Sequence, residues 1–136
     1  MLTSTVCVAL VIFFEAGIEP PEGMIATGWS VVNASAMLHA KPVSVCREVR
    51  YSGRYVALRG KFSAGYAIAI PVGARWRKIK HIAYGIIHGK IADPTGGANH
   101  WECTTKPVCK VPPWWAVGME YRGRFGTQDF FKEIMT

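Results

Sequence analysis

No lysine or arginine occurs in the first 40 residues, where Glu15, Glu19 and Glu22 carry the only charges. Residues 1–40 therefore hold a net −3, and residues 41–136, with all 16 basic residues and the other six acids, hold a net +10. The basic surface belongs to the later part of the chain, and a net +7 favours polyanions such as nucleic acid, anionic lipid or the acidic bacterial envelope without choosing among them. A membrane-length apolar run is missing as well. The unbroken apolar stretch at 6–14 has nine residues, well short of the roughly twenty that span a bilayer. It lacks a basic leading segment and a small-residue cleavage site, so neither a transmembrane segment nor an export signal is expected. Cys7, Cys46, Cys103 and Cys109 show no C-x-x-C spacing, and His39, His81, His88 and His100 form no H-x-x-x-H pair. No metal site and no cofactor are expected; buried thiols or one disulfide are, with Cys103 and Cys109 able to close a small loop and the pairing left open. Repeats, linkers and low-complexity tracts are absent too.

What is present is enough for one core. Half of the 136 residues are apolar and 18% are charged, which excludes a disordered or fibrous chain and fits a single domain over 1–136. Residues 6–14 read as a buried helix with Thr3, Ser4 or Thr5 as its N-cap. A second helix is expected over about 22–38, after Pro20 and Pro21, with Ile25, Trp29, Val32 and Ala36 as its apolar stripe and Asn33 beside it. Between 41 and 73 the pattern weakens toward loops with short strands or a bent helix. Helical periodicity returns over about 74–88, where Ile79, Ile82, Ala83 and Ile86 share a face, Arg75, Arg77, Lys78 and Lys80 turn to solvent and Gly89 ends the helix. A turn-rich loop follows at 91–101, then a stretch rich in proline and aromatics, and a final short helix is expected near Thr127. The fold class is mainly α, with a minor β element.

One position stands out chemically. Glu15 directly follows the nine apolar residues, where a helix leaves the core, and a partly desolvated carboxylate there suits a group that must hold a proton and hand it over. The plainer reading is the solvated end of a helix. Glu19 and Glu22 read as first-turn carboxylates of the next helix, stabilised by its dipole.

The segment FFEAGIEPPEGMIATGWSVVNAS resembles the signature of the spore-cortex-lytic, SleB-like cell-wall hydrolases: an aromatic residue, Glu-Ala-Arg-Gly-Glu-Pro, Glu-Gly-Gln, then Ala-x-x-Val-x-Asn. Phe14, Glu15, Ala16, Glu19, Pro20, Glu22, Gly23, Ala26 and Asn33 fall in register with one residue inserted near Pro21. Val45, Cys46, Val49 and Tyr51 are similar to the family's Val-Cys-x-Val-x-Tyr stretch. Lys61, Phe62 and Ser63 stand where Gln-Phe-Ser is usual. Residues 93–100, from Asp93 to His100, look like its Asp-Pro-Thr-x-Gly-Ala-x-His/Tyr loop, and Phe125, Gly126 and Phe130 look like its closing Ile-Gly-x-His-x-Phe. Gly17 and Ile18 replace the usual Arg-Gly, Lys61 the Gln, and Gln128 the closing His, which implies a divergent subsite.

The resemblance implies a lysozyme-like α+β domain that cleaves the β-1,4 bond between N-acetylmuramic acid and N-acetylglucosamine in peptidoglycan, as a lytic transglycosylase leaving a 1,6-anhydro sugar. Glu15 would be the catalytic acid and base, Phe62 and Ser63 would line the cleft, and Asp93, Thr95, His100 and Trp101 would form its other wall. The alternatives are a hydrolytic muramidase and a non-catalytic basic domain binding glycan or nucleic acid, the run 75–80 being the feature that would suit the latter. A monomer working on the bacterial wall is expected, with glycan strands rather than nucleic acid as partner. A phage lysin or virion-associated hydrolase fits a bare domain. If the basic segment steers the protein to an anionic wall, activity on intact cell walls should fall with added salt more steeply than activity on a short soluble glycan; equal salt sensitivity on both substrates would count against steering.

Overall fold

The computed structural model describes residues 2–62, 68–103 and 118–134. Among the described residues there are four helices, α1 (Ser4–Ala16), α2 (Pro21–Met37), α3 (Val45–Tyr51) and α4 (Ala74–Ile87), with a 3₁₀ turn (Val56–Leu58) between α3 and α4. Three strands follow: β1 (His100–Cys103), β2 (Glu120–Phe125) and β3 (Gln128–Lys132), antiparallel in the order β1-β3-β2.

The first helix is the axis of the domain. Thr3 caps it, its hydroxyl accepting from Val6 N at 3.2 Å. Cys7, Val8, Ala9, Leu10, Val11 and Ile12 are all at most 1% exposed. A helix apolar on every side has to be surrounded, and α2, α3 and α4 all pack on α1. The disulfide Cys7–Cys46 ties α1 to α3. Of the two expectations for the cysteines, buried thiols or one disulfide, the disulfide is observed, and it falls on Cys7 and Cys46, a pairing the sequence left open; the 103–109 loop lies outside the described side chains.

The second helix departs from the expected stripe. Ile25, Trp29 and Val32 are only partly buried and Ala36 is exposed, whereas Gly23, Met24, Ala26, Thr27, Gly28, Ser30, Val31 and Ala34 are buried. The helix lies between α1 and α4 on one side and β1 and β2 on the other, so its close contacts are made through small side chains and the bulky ones sit at the flanks. Gly28 shows why: a Cβ there would come within 2.6 Å of Ile86 Cδ1 and 3.0 Å of Ile12 Cδ1.

α4 keeps the expected face, with Ile79, Ile82, Ala83 and Ile86 buried and Arg75, Arg77, Lys78 and Lys80 exposed. It ends in a Schellman arrangement: Gly89, at φ 69°, donates to Ile86 O and Lys90 N donates to Gly85 O at 2.8 Å. Of the alternatives for 41–73, the described residues show loops with helical pieces, α3 and the 3₁₀ turn, and no strand. The helix expected near Thr127 is instead a two-residue hairpin turn at Gly126 and Thr127 between β2 and β3. Asp129, Phe130 and Phe131 are all buried because β3 is the central strand. Phe130 packs toward Ala26 and Ala98, while Tyr121 and Arg124 bind Asp129. A central strand covered on both faces shows no period-two alternation, and its continuous burial imitates a helical segment.

Opening the disulfide should destabilise the domain strongly, since it closes a loop of 39 residues, worth about 4 kcal/mol on the chain-entropy account. Melting temperatures with and without reductant measure this, and coincident melting curves would show the crosslink to be energetically silent.

Candidate active site

Glu15 lies in the last turn of α1, half-buried, with Ala16 behind it in the core. Its Oε1 accepts a hydrogen bond from Ala57 N, on the 3₁₀ turn, at 3.1 Å. Cations flank this end of α1: Lys61 Nζ sits 4.8 Å from the Phe14 ring centre and the Arg75 guanidinium 4.8 Å from that of Phe13. A carboxylate held by one backbone N–H keeps its remaining lone pairs for a ligand.

Glu19 and Glu22 part company. Glu22 is exposed in the first turn of α2, as expected. Glu19 is not helical; it precedes the N-cap Pro20 and binds the distant hairpin turn, accepting from Thr127 N and Thr127 Oγ1, each at 2.7 Å.

The 93–100 loop is tied to α2 by Asn33, which donates to Asp93 Oδ2 and to Ala98 O, each at 2.9 Å. Asp93 also accepts from Thr95 N at 2.8 Å, Thr95 Oγ1 at 2.7 Å and Gly97 N at 2.9 Å. Thr95, 2% exposed, in turn accepts from Ala98 N. Burial alone would raise the Asp93 carboxyl, but the hydrogen bonds from Thr95, Asn33 and Gly97 outweigh it and hold the group below its ordinary value. Both side chains face the loop's own backbone.

His100, at the start of β1, points the other way. Its Nδ1 lies 2.9 Å from Asn99 Oδ1, which already accepts from Glu133 N, and its Nε2 lies 3.2 Å from Arg54 Nη1. Arg54 can only donate, so this network assigns the neutral imidazole with its proton on Nδ1. Burial, and then the charge of Arg54, push the His100 pKa down, against the pull of Glu133 and Glu48. Trp101 is half-buried and stacks on Tyr55, with ring centres 5.9 Å apart and an interplanar angle of 22°. Phe62 packs on the main core and lines a small open pocket with Val49, Tyr55 and Leu58. Ser63 lies outside the described residues.

Sequence reasoning missed the group that joins these parts. Glu48 on α3 is 1% exposed and is met by His39 Nε2 at 2.6 Å, Tyr55 Oη at 2.7 Å and Arg54 Nε at 3.4 Å. Burial chiefly, and then the Glu48 charge, raise the Tyr55 phenol well above its usual value; the charge of Glu15 adds to this. Val45, Glu48 and Val49 have i, i+3, i+4 spacing, so a carboxylate on the apolar face of a short helix was the available signal.

Replacing Asp93 by Asn should loosen the loop. A carboxyl held below its ordinary value stabilises the fold above the usual carboxylate range, and that contribution is lost as pH falls through the folded value. The Asp93→Asn variant should melt several degrees lower than wild type at pH 7 and approach it in acid; a gap unchanged down to pH 2 would refute the assignment.

The chain matches no protein-family model and no curated protein sequence. Two solved structures share its shape. The catalytic domain of the germination-specific lytic transglycosylase SleB from Bacillus anthracis aligns with a TM-score of 0.70 at 19% identity, covering 97% of each chain. The catalytic domain of the Bacillus cereus SleB protein aligns with a TM-score of 0.71 at 19% identity, covering 95% of this chain and 89% of that one. Over nearly its whole length, this chain has the lysozyme-like α+β fold of the SleB catalytic domain.

Proposed function

We propose that this protein degrades peptidoglycan, cleaving the β-1,4 bond between N-acetylmuramic acid and N-acetylglucosamine as a lytic transglycosylase, with Glu15 as both acid and base. The observation that carries the reading is the half-buried Glu15 carboxylate at the end of α1, oriented by the Ala57 N–H, in a chain with the fold of a lytic transglycosylase catalytic domain.

In this mechanism, protonated Glu15 gives its proton to the glycosidic oxygen as the bond to the muramic acid C1 breaks. The resulting carboxylate then takes the proton of that sugar's own 6-hydroxyl, whose oxygen attacks C1 and closes the 1,6-anhydro ring. Water is not consumed, and one carboxylate serves both steps.

A hydrolase canonically uses a second carboxylate beside the first, and four of the other acids are already held within the protein. Asp93 is held by Asn33, Thr95 and Gly97, Glu48 by His39, Tyr55 and Arg54, and Asp129 by Tyr121 and Arg124. Glu19 is clamped on Thr127. This favours transglycosylation over hydrolysis. We assign sugar contacts to Phe62, Ser63, His100 and Trp101, and to Asp93 and Thr95 the task of shaping the wall from behind.

Glu15→Gln keeps the shape of the side chain and removes its transferable proton, so activity on purified cell walls should fall by roughly a hundred-fold or more, with circular dichroism unchanged. Mass spectrometry should find 1,6-anhydromuramic ends in the wild-type digest. Near wild-type turnover in the folded variant would sink the assignment of Glu15, and products heavier by one water with new reducing ends would convert the reading to a muramidase.

A further inference from the structure

Resting on the reading of Glu15 as the acid, we propose that Glu48 and Tyr55 are positioning residues: through them the buried face of α3 holds the 3₁₀ turn so that the Ala57 N–H meets the Glu15 carboxylate.

Tyr55 is the residue immediately before the turn, 5% exposed, and Leu58 at its end is 3% exposed, while Val56 between them is 64% exposed. The turn is thus pinned at both ends. Its own hydrogen bonds, Leu58 N to Tyr55 O at 2.9 Å and Arg59 N to Val56 O at 3.1 Å, leave the Ala57 N–H directed at Glu15 Oε1. The Leu58 end is anchored by apolar packing, which is non-directional. The Tyr55 end is anchored by two directional contacts, the stack on Trp101 and the hydroxyl that donates to Glu48 Oε2 at 2.7 Å.

Glu48 itself has little freedom. Its other oxygen meets His39 Nε2 at 2.6 Å, and Arg54, adjacent to Tyr55 in sequence, approaches Oε2 at 3.4 Å while reaching His100 with its Nη1. Burying a carboxyl group is costly, and an apolar side chain of the same volume is often as stable. What the carboxyl group adds at this place is direction: three side chains converge on its two oxygens. The Tyr55 hydroxyl donates to Glu48 Oε2, which gives it one direction, and the backbone that follows it is fixed accordingly. The segment so fixed is the one that touches Glu15.

Tyr55→Phe removes the hydroxyl and keeps the ring on Trp101; Glu48→Gln keeps the shape and removes the charge. In each folded variant kcat on cell walls should fall roughly ten-fold with KM within about two-fold, and the alkaline limb of the pH profile, where the acid loses its proton, should move to higher pH as the donor to Glu15 is lost. The Ala57 amide resonance should shift in both variants and in Glu15→Gln. An unchanged kcat, pH profile and Ala57 resonance in folded Tyr55→Phe would overturn the proposal. If neither substitution folds, the wild type decides: the Ala57 amide should exchange with solvent as slowly as core amides, and exchange at the rate of an exposed loop would overturn it. The amide measurements do not depend on turnover, so failure of Glu15 as the acid, seen as an active Glu15→Gln, is told apart from failure of the positioning role.

Discussion

Everything in this domain follows from a helix with no polar side along most of its length. Residues 7–12 of α1 are essentially inaccessible to water, and such a cylinder is stable only when other elements enclose it. α2, α3 and α4 supply the enclosure and the Cys7–Cys46 bond fixes one of them in place. Glu15 is where the enclosure stops. The same packing that makes the core thus sets the depth of the carboxylate: far enough in to be sheltered, far enough out to be reached.

The second organising principle is how acids are spent. There are nine in the chain against 16 lysines and arginines, and several are used as crosslinks between segments far apart in sequence. Asp93 gathers the 93–98 loop onto α2, Glu19 holds the hairpin turn against the start of α2, and Glu48 joins α3 to the turn below Glu15. Each accepts several hydrogen bonds, as desolvated carboxylates must. Glu15 stands apart in making a single hydrogen bond to the protein among the described residues. That contrast, rather than any one distance, sets Glu15 apart from the acids that act as crosslinks.

Much of this was legible in the sequence, for identifiable reasons. Unbroken apolarity at 6–14, the Pro20–Pro21 start and the Gly89 stop are local signals, and the three long helices follow from them. The buried face of α2 was not legible, because close packing selects small residues there while the bulky ones that draw the eye are displaced to the flanks. The hairpin at Gly126 was missed because a central strand covered on both faces loses its alternation. Within the site, Glu15 and the 93–100 loop were readable as motifs. The contacts of Tyr55, Arg54 and Glu48 were not, since they arise in a meeting of α3, the 3₁₀ turn and β1 that spans 39 to 133 in the chain.

The order in which the elements appear has a consequence for how the protein is made. During synthesis α1 leaves the ribosome well before α4, which follows only at residue 74, and the hairpin turn that binds Glu19 arrives 108 residues after that acid. Until α4 arrives, the least polar segment of the chain has only α2 and α3 to pack against and stays partly uncovered. Exposed apolar surface of that kind invites aggregation or chaperone capture, and folding that waits on contacts so distant in sequence is slow. The feature that shelters the carboxylate in the finished domain is therefore also its chief hazard while nascent, and expression at low temperature or slow rate should favour the native form over inclusion bodies.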